Sequence, residues 1–309
     1  MRTLTVAEAD DGARLDQWLA QVLDCSRRDA QRLIADGVVR LDGARATKGS
    51  RVRGGASVRV DAEPPRADDK RPLPEPELPL VIVHIDDAIV AMVKPSGMAT
   101  HPLLAGERGT LANALVARYP ECGDVADDVR EGGVAHRLDS DTSGLVLAGR
   151  TRAAWLSLRH SFGDGAVTKE YLALVAGVPP DSGLVDVALA HAGKRVRAAV
   201  ADLVDAQPAT TRYRTLARGN GVALVEASSA SGRMHQIRAH LAHAGFPIVG
   251  DALYGGPAAA AGTSGHFLHA SAVTFPHPTT GARTTLTAPL PEDRAAALRS
   301  LVGWPKANE

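Results

Sequence analysis

The spacing of apolar residues predicts two short helices followed by strands at the N-terminal end of the chain. The apolar positions of the first predicted helix recur at helical spacing: Leu15, Trp18, Leu19 and Val22. Ser26 can cap a second helix, and Gly37 is placed to end it. Strands are then predicted within 38–43 and at 57–61. This part of the chain is therefore predicted to be a small unit of helices and strands.

A proline-rich stretch follows this unit. Residues 63–79 contain six prolines among many charged residues and show no apolar periodicity. Such composition is typical of an extended linker. We therefore predict one domain at 1–62, a linker at 63–79 and a second domain at 80–309.

The larger C-terminal part is predicted to combine strands with amphipathic helices. Two apolar runs within 80–93 flank Asp86 and Asp87, which predicts a hairpin. Further strands are predicted at 145–147, 168–175, 211–216 and 222–226, and helices at 111–119 and 155–162. Together with the N-terminal unit, this pattern favours an α+β fold.

Two later segments are less regular in pattern. Residues 178–205 are predicted to be irregular, with a short basic loop that either contacts RNA or is simply solvated: Lys194, Arg195 and Arg197. A last amphipathic helix is predicted from Ser231, which can cap it, to Gly245, which can stop it. On that helix His235 and Arg238 lie one turn apart, away from its apolar seam. An arginine that leans on a core usually has a carboxylate partner.

Charge changes this picture only locally. The chain has 309 residues, enough for two domains, and its 35 Lys and Arg residues equal its 35 Asp and Glu residues. Any nucleic-acid site must therefore be a local patch. Residues 27–59 hold such a patch, in which Arg27, Arg28 and Arg32 belong to the second predicted helix. On charge alone, RNA contact and a solvated surface remain equally open.

The remaining composition excludes several classes of protein. Two cysteines, Cys25 and Cys122, cannot form a disulfide framework or a cysteine-rich zinc site. The N-terminus lacks the apolar core of a signal peptide, and no apolar run approaches the roughly 20 residues that cross a bilayer. His240 and His243 have helical spacing but no third ligand at the spacing of a zinc helix, so structural roles are favoured. We therefore expect a cytoplasmic protein.

The candidate chemistry centres on Asp139, which lies in a polar turn just before the apolar run 145–147. Such turns present a reactive acid on a rigid base, although an aspartate often only caps its own turn. In the strand at 168–175, alternation places Tyr171 beside small residues, which suits either an open ring or a core tyrosine. Lys94 begins a turn that also has an ordinary structural explanation.

The exact strings resemble the RluA-type pseudouridine synthases. The resemblance rests on these segments: Lys94-Pro95 with His101-Pro102, His136-Arg137-Leu138-Asp139 with Thr142-Ser143-Gly144, Lys169-Glu170-Tyr171, and Ser231 through Gly255. Arg14-Leu15-Asp16, Ser26-Arg27-Arg28 and Asp42-Gly43 resemble an S4 RNA-binding domain. The family implies a mixed, mainly antiparallel sheet flanked by helices, an RNA cleft across that sheet, and no need for a metal or cofactor.

The resemblance also implies roles for residues. Asp139 is expected to be the catalytic carboxylate, acting either as a nucleophile or as a base, and Arg238 to hold it charged. Tyr171 is expected to stack on the uracil and to help remove the proton from C5. The target base must flip out of its stack, and Arg137 is expected to fill the gap. Lys94, His235 and the arginines of the S4 domain are weaker candidates for RNA contact.

The implied activity is the isomerisation of uridine to pseudouridine in RNA, by a monomer acting on large-subunit ribosomal RNA. Two other classes compete with it. A ribosome-assembly factor would bind RNA through its S4 domain without catalysis. A hydrolase of glycosidic bonds would use a similar acid, but it usually needs a second carboxylate, and the nearby Asp141 lies in the turn.

Overall fold

The computed structural model describes residues 2–25, 27–62, 70–193, 195–198 and 206–304, apart from the side chain of Arg28. The chain divides into two compact units, one of residues 1–71 with 104–106 and one of residues 72–103 with 107–309. Most of the predicted linker lies either outside the described residues or within the larger unit. Its role as a linker stays a prediction.

The smaller unit packs two helices against a four-stranded antiparallel sheet. The helices are α1 (Leu15–Val22) and α2 (Arg27–Ala35). The strands are β1 (Arg2–Thr5), β2 (Val39–Leu41), β3 (Ala44–Arg45) and β4 (Ser57–Val60), in the order β1-β4-β2-β3. The predicted helices and the strands within 38–43 and at 57–61 are therefore confirmed.

Apolar side chains at helical spacing form the core of this unit. Leu15, Trp18 and Leu19 are buried against the face of α2 that carries Leu33 and Ile34. Val22, the last residue of α1, is exposed. Gly37 has φ 76°, the left-handed conformation that ends a helix, and the predicted cap Ser26 lies outside the described residues.

Nine strands of the larger unit form one mixed, mainly antiparallel sheet within the described residues. Its order is β5-β6-β7-β14-β8-β13-β12-β9, with β15 paired to β14, and its parallel pair is β7 with β14. The strands of this sheet are β5 (Val81–Ile85), β6 (Ile89–Lys94), β7 (Ser143–Gly149), β8 (Thr168–Ala176), β9 (Ser182–Asp186), β12 (Thr210–Gly219), β13 (Val222–Ser229), β14 (Leu268–Pro276) and β15 (Arg283–Thr287). A separate hairpin is formed by β10 (Leu189–Ala192) and β11 (Arg195–Ala198).

Four helices flank this sheet in the described part: α3 (Leu111–Arg118), α4 (Arg152–Gly163), α5 (Gln236–His243) and α6 (Glu292–Val302). Trp155 and Leu158 of α4 enter a core with the apolar side chains of β7. Ile237 and Leu241 of α5 and Leu298 of α6 enter another core with β8 and β13. Helices α4 and α5 therefore bury the apolar seams that predicted them, whereas α6 was not predicted.

The centre of the sheet is tightly packed where β7 meets β14. Gly144 has φ 119°, and a Cβ there would lie 2.3 Å from the carbonyl oxygen of Ala270. Only glycine allows this close approach. The loop that carries Asp139 thus leads into the sheet through a strand that cannot shift towards its neighbour.

Two predictions for this unit were wrong. Residues 178–205 are not irregular, since β9, β10 and β11 lie among their described residues. The helix predicted from Ser231 begins five residues later, at Gln236. Its N-cap, His235, has φ 53°, so the helical conformation cannot extend backwards through it. Ser231 instead donates a hydrogen bond from Oγ to the side-chain oxygen of Gln236.

Candidate active site

A cleft of about 690 Å³ lies in the larger unit, and the three predicted catalytic residues all line it. Asp139 comes from the loop before β7, Tyr171 from β8 and Arg238 from α5. Several other residues with basic side chains also line the cleft: His136, Arg137, Arg159, Lys169, Arg233 and His235. Elements far apart in sequence therefore build one concave and largely basic site.

The carboxylate of Asp139 is held through one of its two oxygens. Arg238 donates from Nη1 to Oδ2 at 2.7 Å, and the His235 Nε2 atom lies 3.8 Å from the same oxygen. Among the described residues, no donor contacts the other oxygen, Oδ1. The side chain is 24% exposed. Asp139 thus combines a fixed orientation with an oxygen that remains available to a substrate.

Arg238 is fixed by a second carboxylate. It donates from Nε and Nη2 to the two oxygens of Asp251, at 2.7 and 2.8 Å. Both side chains are nearly completely buried. Burial alone would lower the pKa of Arg238, but its hydrogen bonds to Asp251 and Asp139 outweigh burial and raise the pKa. Arg238 therefore stays charged and is aimed at Asp139 by a fork that only arginine can form.

Backbone contacts fix the loop on both sides of Asp139. Thr100 donates from Oγ1 to the carbonyl of Leu138 at 3.0 Å and accepts from the Leu138 N–H at 3.1 Å. Ser96 donates from Oγ to the carbonyl of Asp141 at 2.8 Å. These bonds hold the residues before and after Asp139, so its position does not depend on its own side-chain contacts alone.

Lys94 is placed differently from its predicted contact with phosphate. Its side chain is fully buried and donates to the carbonyls of Pro95, Met98 and Ser140, at 2.9, 2.6 and 2.7 Å. These three bonds use the three protons of the ammonium group. Burial lowers the pKa of Lys94 to about 7, although the charges of Asp139 and Asp141 oppose this. Lys94 therefore stabilises the loop beside Asp139 and offers nothing to a phosphate.

Tyr171 presents its ring at the cleft from the centre of the sheet. It pairs with Ala227 of β13 and Ala270 of β14, whose small side chains leave the ring space. Burial and the charge of Asp139 raise its pKa. The phenol is therefore protonated at neutral pH, which suits stacking and hydrogen bonding better than it suits a free phenolate base.

His235 is fixed in one tautomer by Tyr254. The Tyr254 hydroxyl lies 3.0 Å from His235 Nδ1 and already accepts a hydrogen bond from the N–H of Val196 at 2.9 Å. The Asp139 carboxylate, 3.8 Å from His235 Nε2, favours a proton on that atom, and the hydroxyl then donates to Nδ1. The Arg238 guanidinium lies over the Tyr254 ring, 5.2 Å from its centre. Tyr254 thus contacts both basic residues beside the acid.

The two residues before Leu138 have different environments. His136 accepts a hydrogen bond at Nε2 from the N–H of Leu147, at 3.0 Å, and its ring packs 4.4 Å from that of Phe162. Burial lowers its pKa to about 3, so it is neutral. Arg137 is exposed, and within the described residues its guanidinium has no hydrogen-bond or ion-pair partner. Of the two, only Arg137 is available to an approaching ligand.

The arginines predicted to contact RNA from the smaller unit are partly engaged within it. Arg27 donates from Nε to the buried Asp16 at 2.9 Å. Arg32 is exposed and lies 3.9 Å from Asp36. The side chain of Arg28 lies outside the described residues. Of the two described side chains, Arg32 is therefore less engaged by a carboxylate of the protein than Arg27 is.

Several residues of this site were given no role on the basis of the sequence: Asp251, Tyr254, Lys169, Arg159 and Arg233. Asp251 and Tyr254 lie inside the segment 231–255, but their contacts depend on how the chain folds back after α5. Spacing along the chain carries no signal for such partners. The basic residues of the cleft come from four separate segments, so no local run of charge indicated them.

Of the two histidines with helical spacing, His240 has structural surroundings and His243 is exposed. His240 is buried between Thr211 Oγ1, at 2.8 Å, and the carbonyl of Val187, at 2.9 Å. Within the described ranges, no group of three or more His, Cys, Asp and Glu residues is arranged to hold a metal ion. Of the helices that can be described, none is long and apolar enough to span a membrane.

Comparison with known proteins identifies both units. Residues 88–243 match the family model described as RNA pseudouridylate synthase, and residues 13–58 match the S4 domain. An uncharacterised RNA pseudouridine synthase of Chloroflexus aurantiacus is 39% identical, over 97% of this chain and 93% of its own. A protein of Yersinia pestis named ribosomal large subunit pseudouridine synthase D is 36% identical, over 96% of this chain and 93% of its own.

Solved structures agree with this fold. The human RNA pseudouridylate synthase domain containing 4 superposes with a TM-score of 0.58 at 24% identity, covering 73% of this chain and 95% of its own. The human RNA pseudouridylate synthase domain containing 1 gives a TM-score of 0.56, also at 24% identity, over 69% of this chain and 84% of its own. At such identity the likeness concerns the fold.

Proposed function

The chain belongs to the RNA pseudouridylate synthase family and carries an S4 domain, and from this premise we propose that it converts uridines of large-subunit ribosomal RNA to pseudouridine with Asp139 as the catalytic carboxylate. The observation that carries the proposal is the environment of Asp139. Arg238 binds one carboxylate oxygen at the wall of a basic cleft, and within the described residues the other oxygen has no donor.

The reaction rearranges bonds within one nucleotide. The bond between N1 of uracil and C1′ of the sugar breaks, the uracil turns, and C5 forms a bond to C1′. The proton on C5 is lost, and N1 gains one. No electron donor or acceptor is required. The free oxygen of Asp139 either attacks the nucleotide or removes a proton that starts the cleavage.

Three side chains support Asp139 in this proposal. Arg238 orients the carboxylate through a charge-assisted hydrogen bond. Tyr171 stacks on the uracil, and its hydroxyl assists loss of the C5 proton; its raised pKa makes it act as a phenol. Arg137, exposed at the cleft, fills the gap that the flipped base leaves in the RNA.

The names of the relatives support the proposed target RNA. Several are named ribosomal large subunit pseudouridine synthase D and match nearly the whole chain, at 34% to 36% identity. An S4 domain and a basic cleft both suit an RNA substrate. We infer that the protein works as a monomer on ribosomal RNA in the cytoplasm, with its S4 domain adding affinity outside the catalytic cleft.

Release of tritium from large-subunit ribosomal RNA labelled at C5 of uracil tests this function, because each conversion removes that hydrogen. We expect release by the wild-type protein and only background release by Asp139→Asn, with RNA binding retained. Asp164→Asn is the matched control, since Asp164 is an exposed carboxylate that lines the same cleft.

Other products would contradict the proposal in distinct ways. RNA binding without any tritium release would favour an assembly factor. Free uracil would favour hydrolysis of the glycosidic bond. Release by Asp139→Asn at nearly the wild-type rate would show that another group performs the chemistry.

A further inference from the structure

Lys169 is a buried cation at the cleft that the reaction described above does not use. It is the second residue of β8, its side chain lines the cleft, and it is 8% exposed. Its ammonium group donates to the carbonyl of Ser231 at 2.7 Å. An ammonium group has three protons. Within the described residues, the other two have no acceptor in the protein.

The charges around Lys169 do not neutralise it. Within the described part of the chain, no carboxylate lies at ion-pair distance from its ammonium group. Arg233 and His136 face it from the segments before α5 and before β7, and Arg159 and Asp164 line the same cleft from α4 and its end. Burial and the charge of Arg233 together lower its pKa to about 8. Its neighbours in the sheet are Ser229 and Val273, which carry no charge.

The backbone beside Lys169 carries no side chain at Gly232. Gly232 follows the carbonyl that Lys169 binds, and a Cβ at this position would lie 3.0 Å from the Lys169 ammonium nitrogen. A side chain at residue 232 would therefore crowd the ammonium group. A buried cation without a counter-ion is costly, and Lys169 lines the cleft from which a ligand would approach.

We propose that Lys169 binds a backbone phosphate of the RNA strand that enters the cleft, as the counter-ion that the protein itself does not provide. The proposal deepens the function proposed above by assigning a phosphate subsite to a residue of the central sheet. Lys169 and Lys94 then have different roles. Lys94 uses its three protons within the protein, whereas Lys169 keeps two for the substrate.

A phosphate bound here should affect both the salt dependence and the pH dependence of RNA affinity. Each neutralised phosphate of a single strand contributes about 0.7 to the slope of log affinity against log salt. Phosphate also favours the charged amine. Affinity for RNA should therefore be full below pH 7 and should fall as the pH rises through about 8, where Lys169 of the free protein loses its proton. Arginine at this position would stay charged and remove that fall.

The test measures binding of a large-subunit ribosomal RNA transcript to protein that carries Asp139→Asn, so that turnover does not interfere. With Lys169→Met we expect about tenfold weaker binding, a salt slope smaller by about 0.7, and little change between pH 7 and pH 9. With Lys169→Arg we expect the wild-type slope and no loss of affinity at pH 9. Arg299→Met removes one exposed charge from α6, away from the cleft, and should leave all three quantities unchanged.

An unchanged salt slope and an unchanged pH dependence in Lys169→Met would overturn the proposal, even if affinity fell. If that variant does not fold, a pH titration of Lys169 in the wild-type protein tests the proposal instead. The titration is monitored by NMR of ¹³C-labelled lysine, with and without inorganic phosphate. Phosphate should raise the pKa of Lys169, and no response would overturn the proposal. Wild-type protein that binds RNA but releases no tritium would refute the proposed function alone.

Discussion

Arg238 binds two carboxylates that differ in their burial and in the number of oxygens that it contacts. Asp251 is buried and binds the guanidinium through both oxygens, whereas Asp139 is partly exposed and uses one oxygen. The fully buried pair serves mainly to orient the arginine. The partly exposed pair leaves the carboxylate open to chemistry. The two aspartates should therefore respond differently to the same substitution.

Asp251→Asn is expected to affect stability, in contrast to Asp139→Asn. The substitution leaves a buried guanidinium with one carboxylate, and disruption of a buried ion pair costs about 3 kcal/mol of unfolding free energy. Urea unfolding measures this change. Tritium release should also fall, because Arg238 loses the contact that aims it. Equal stability of Asp251→Asn and wild-type protein would contradict the orienting role of Asp251.

The sequence predicted some of these residues and not others for a physical reason. Asp139, Tyr171 and Arg238 belong to strings that resemble a family, and the structure brings all three to one cleft. Asp251 and Lys169 belong to the same strings, but their tasks depend on which atoms face them after folding. Lys94 shows the converse: a lysine in a turn suggested a surface contact, and burial gave it three backbone carbonyls instead.

Among the elements, the hairpin of β10 and β11 is tied to the catalytic residues. Its inner side chains Leu189 and Val196 pack with Ala239 of α5, while Arg195 and Arg197 are exposed on the outer face. The N–H of Val196 binds the Tyr254 hydroxyl, which in turn donates to His235. The position of a surface hairpin is thereby connected to the imidazole beside Asp139.

Tyr254→Phe should break this connection while keeping the ring over Arg238. Without the hydroxyl, Nδ1 of His235 has no donor, so both neutral tautomers of the imidazole become populated. The ¹⁵N spectrum of the His235 ring measures this directly. We expect kcat for tritium release to fall several-fold with KM nearly unchanged. A single Nε2–H tautomer in the variant would contradict the assigned hydrogen bond.

The hairpin also shows a limit of sequence patterns. Residues 178–205 lack a strong alternation, and short strands that pack on a helix need only one or two inward side chains. Val196 alone fills that position on β11. The start of α5 was misplaced for a related reason, because Ser231 suits a helix cap and nothing local indicates that His235 adopts φ 53°.

At the scale of the whole larger unit, buried neutral histidines make stability depend on pH. His266 and His269 are almost fully buried, with hydrogen bonds to Thr142 at 2.7 Å and Ser143 at 2.9 Å. Burial lowers the pKa of each to about 4. In the unfolded chain a histidine has a pKa near 6.5. Below that pH the unfolded state takes up protons that the folded state does not.

Stability should therefore be full above about pH 7 and should decline as the pH falls towards 4. Between pH 7 and pH 5, each histidine should cost about 2 kcal/mol of unfolding free energy. Urea unfolding at the two pH values measures the loss, and the double variant His266→Gln, His269→Gln should lose correspondingly less. An equal pH dependence in both proteins would exclude these histidines as its source.

The parallel pairing of β7 with β14 has a consequence for synthesis of the chain. Ser143 at the start of β7 pairs with His269, which lies 126 residues later in the chain. A nascent polypeptide that has emerged as far as α5 already contains Asp139, Tyr171 and Arg238 but lacks the strand beside them. Translation through β14 must therefore precede assembly of the cleft, and a product that terminates before β14 should be inert towards RNA modification.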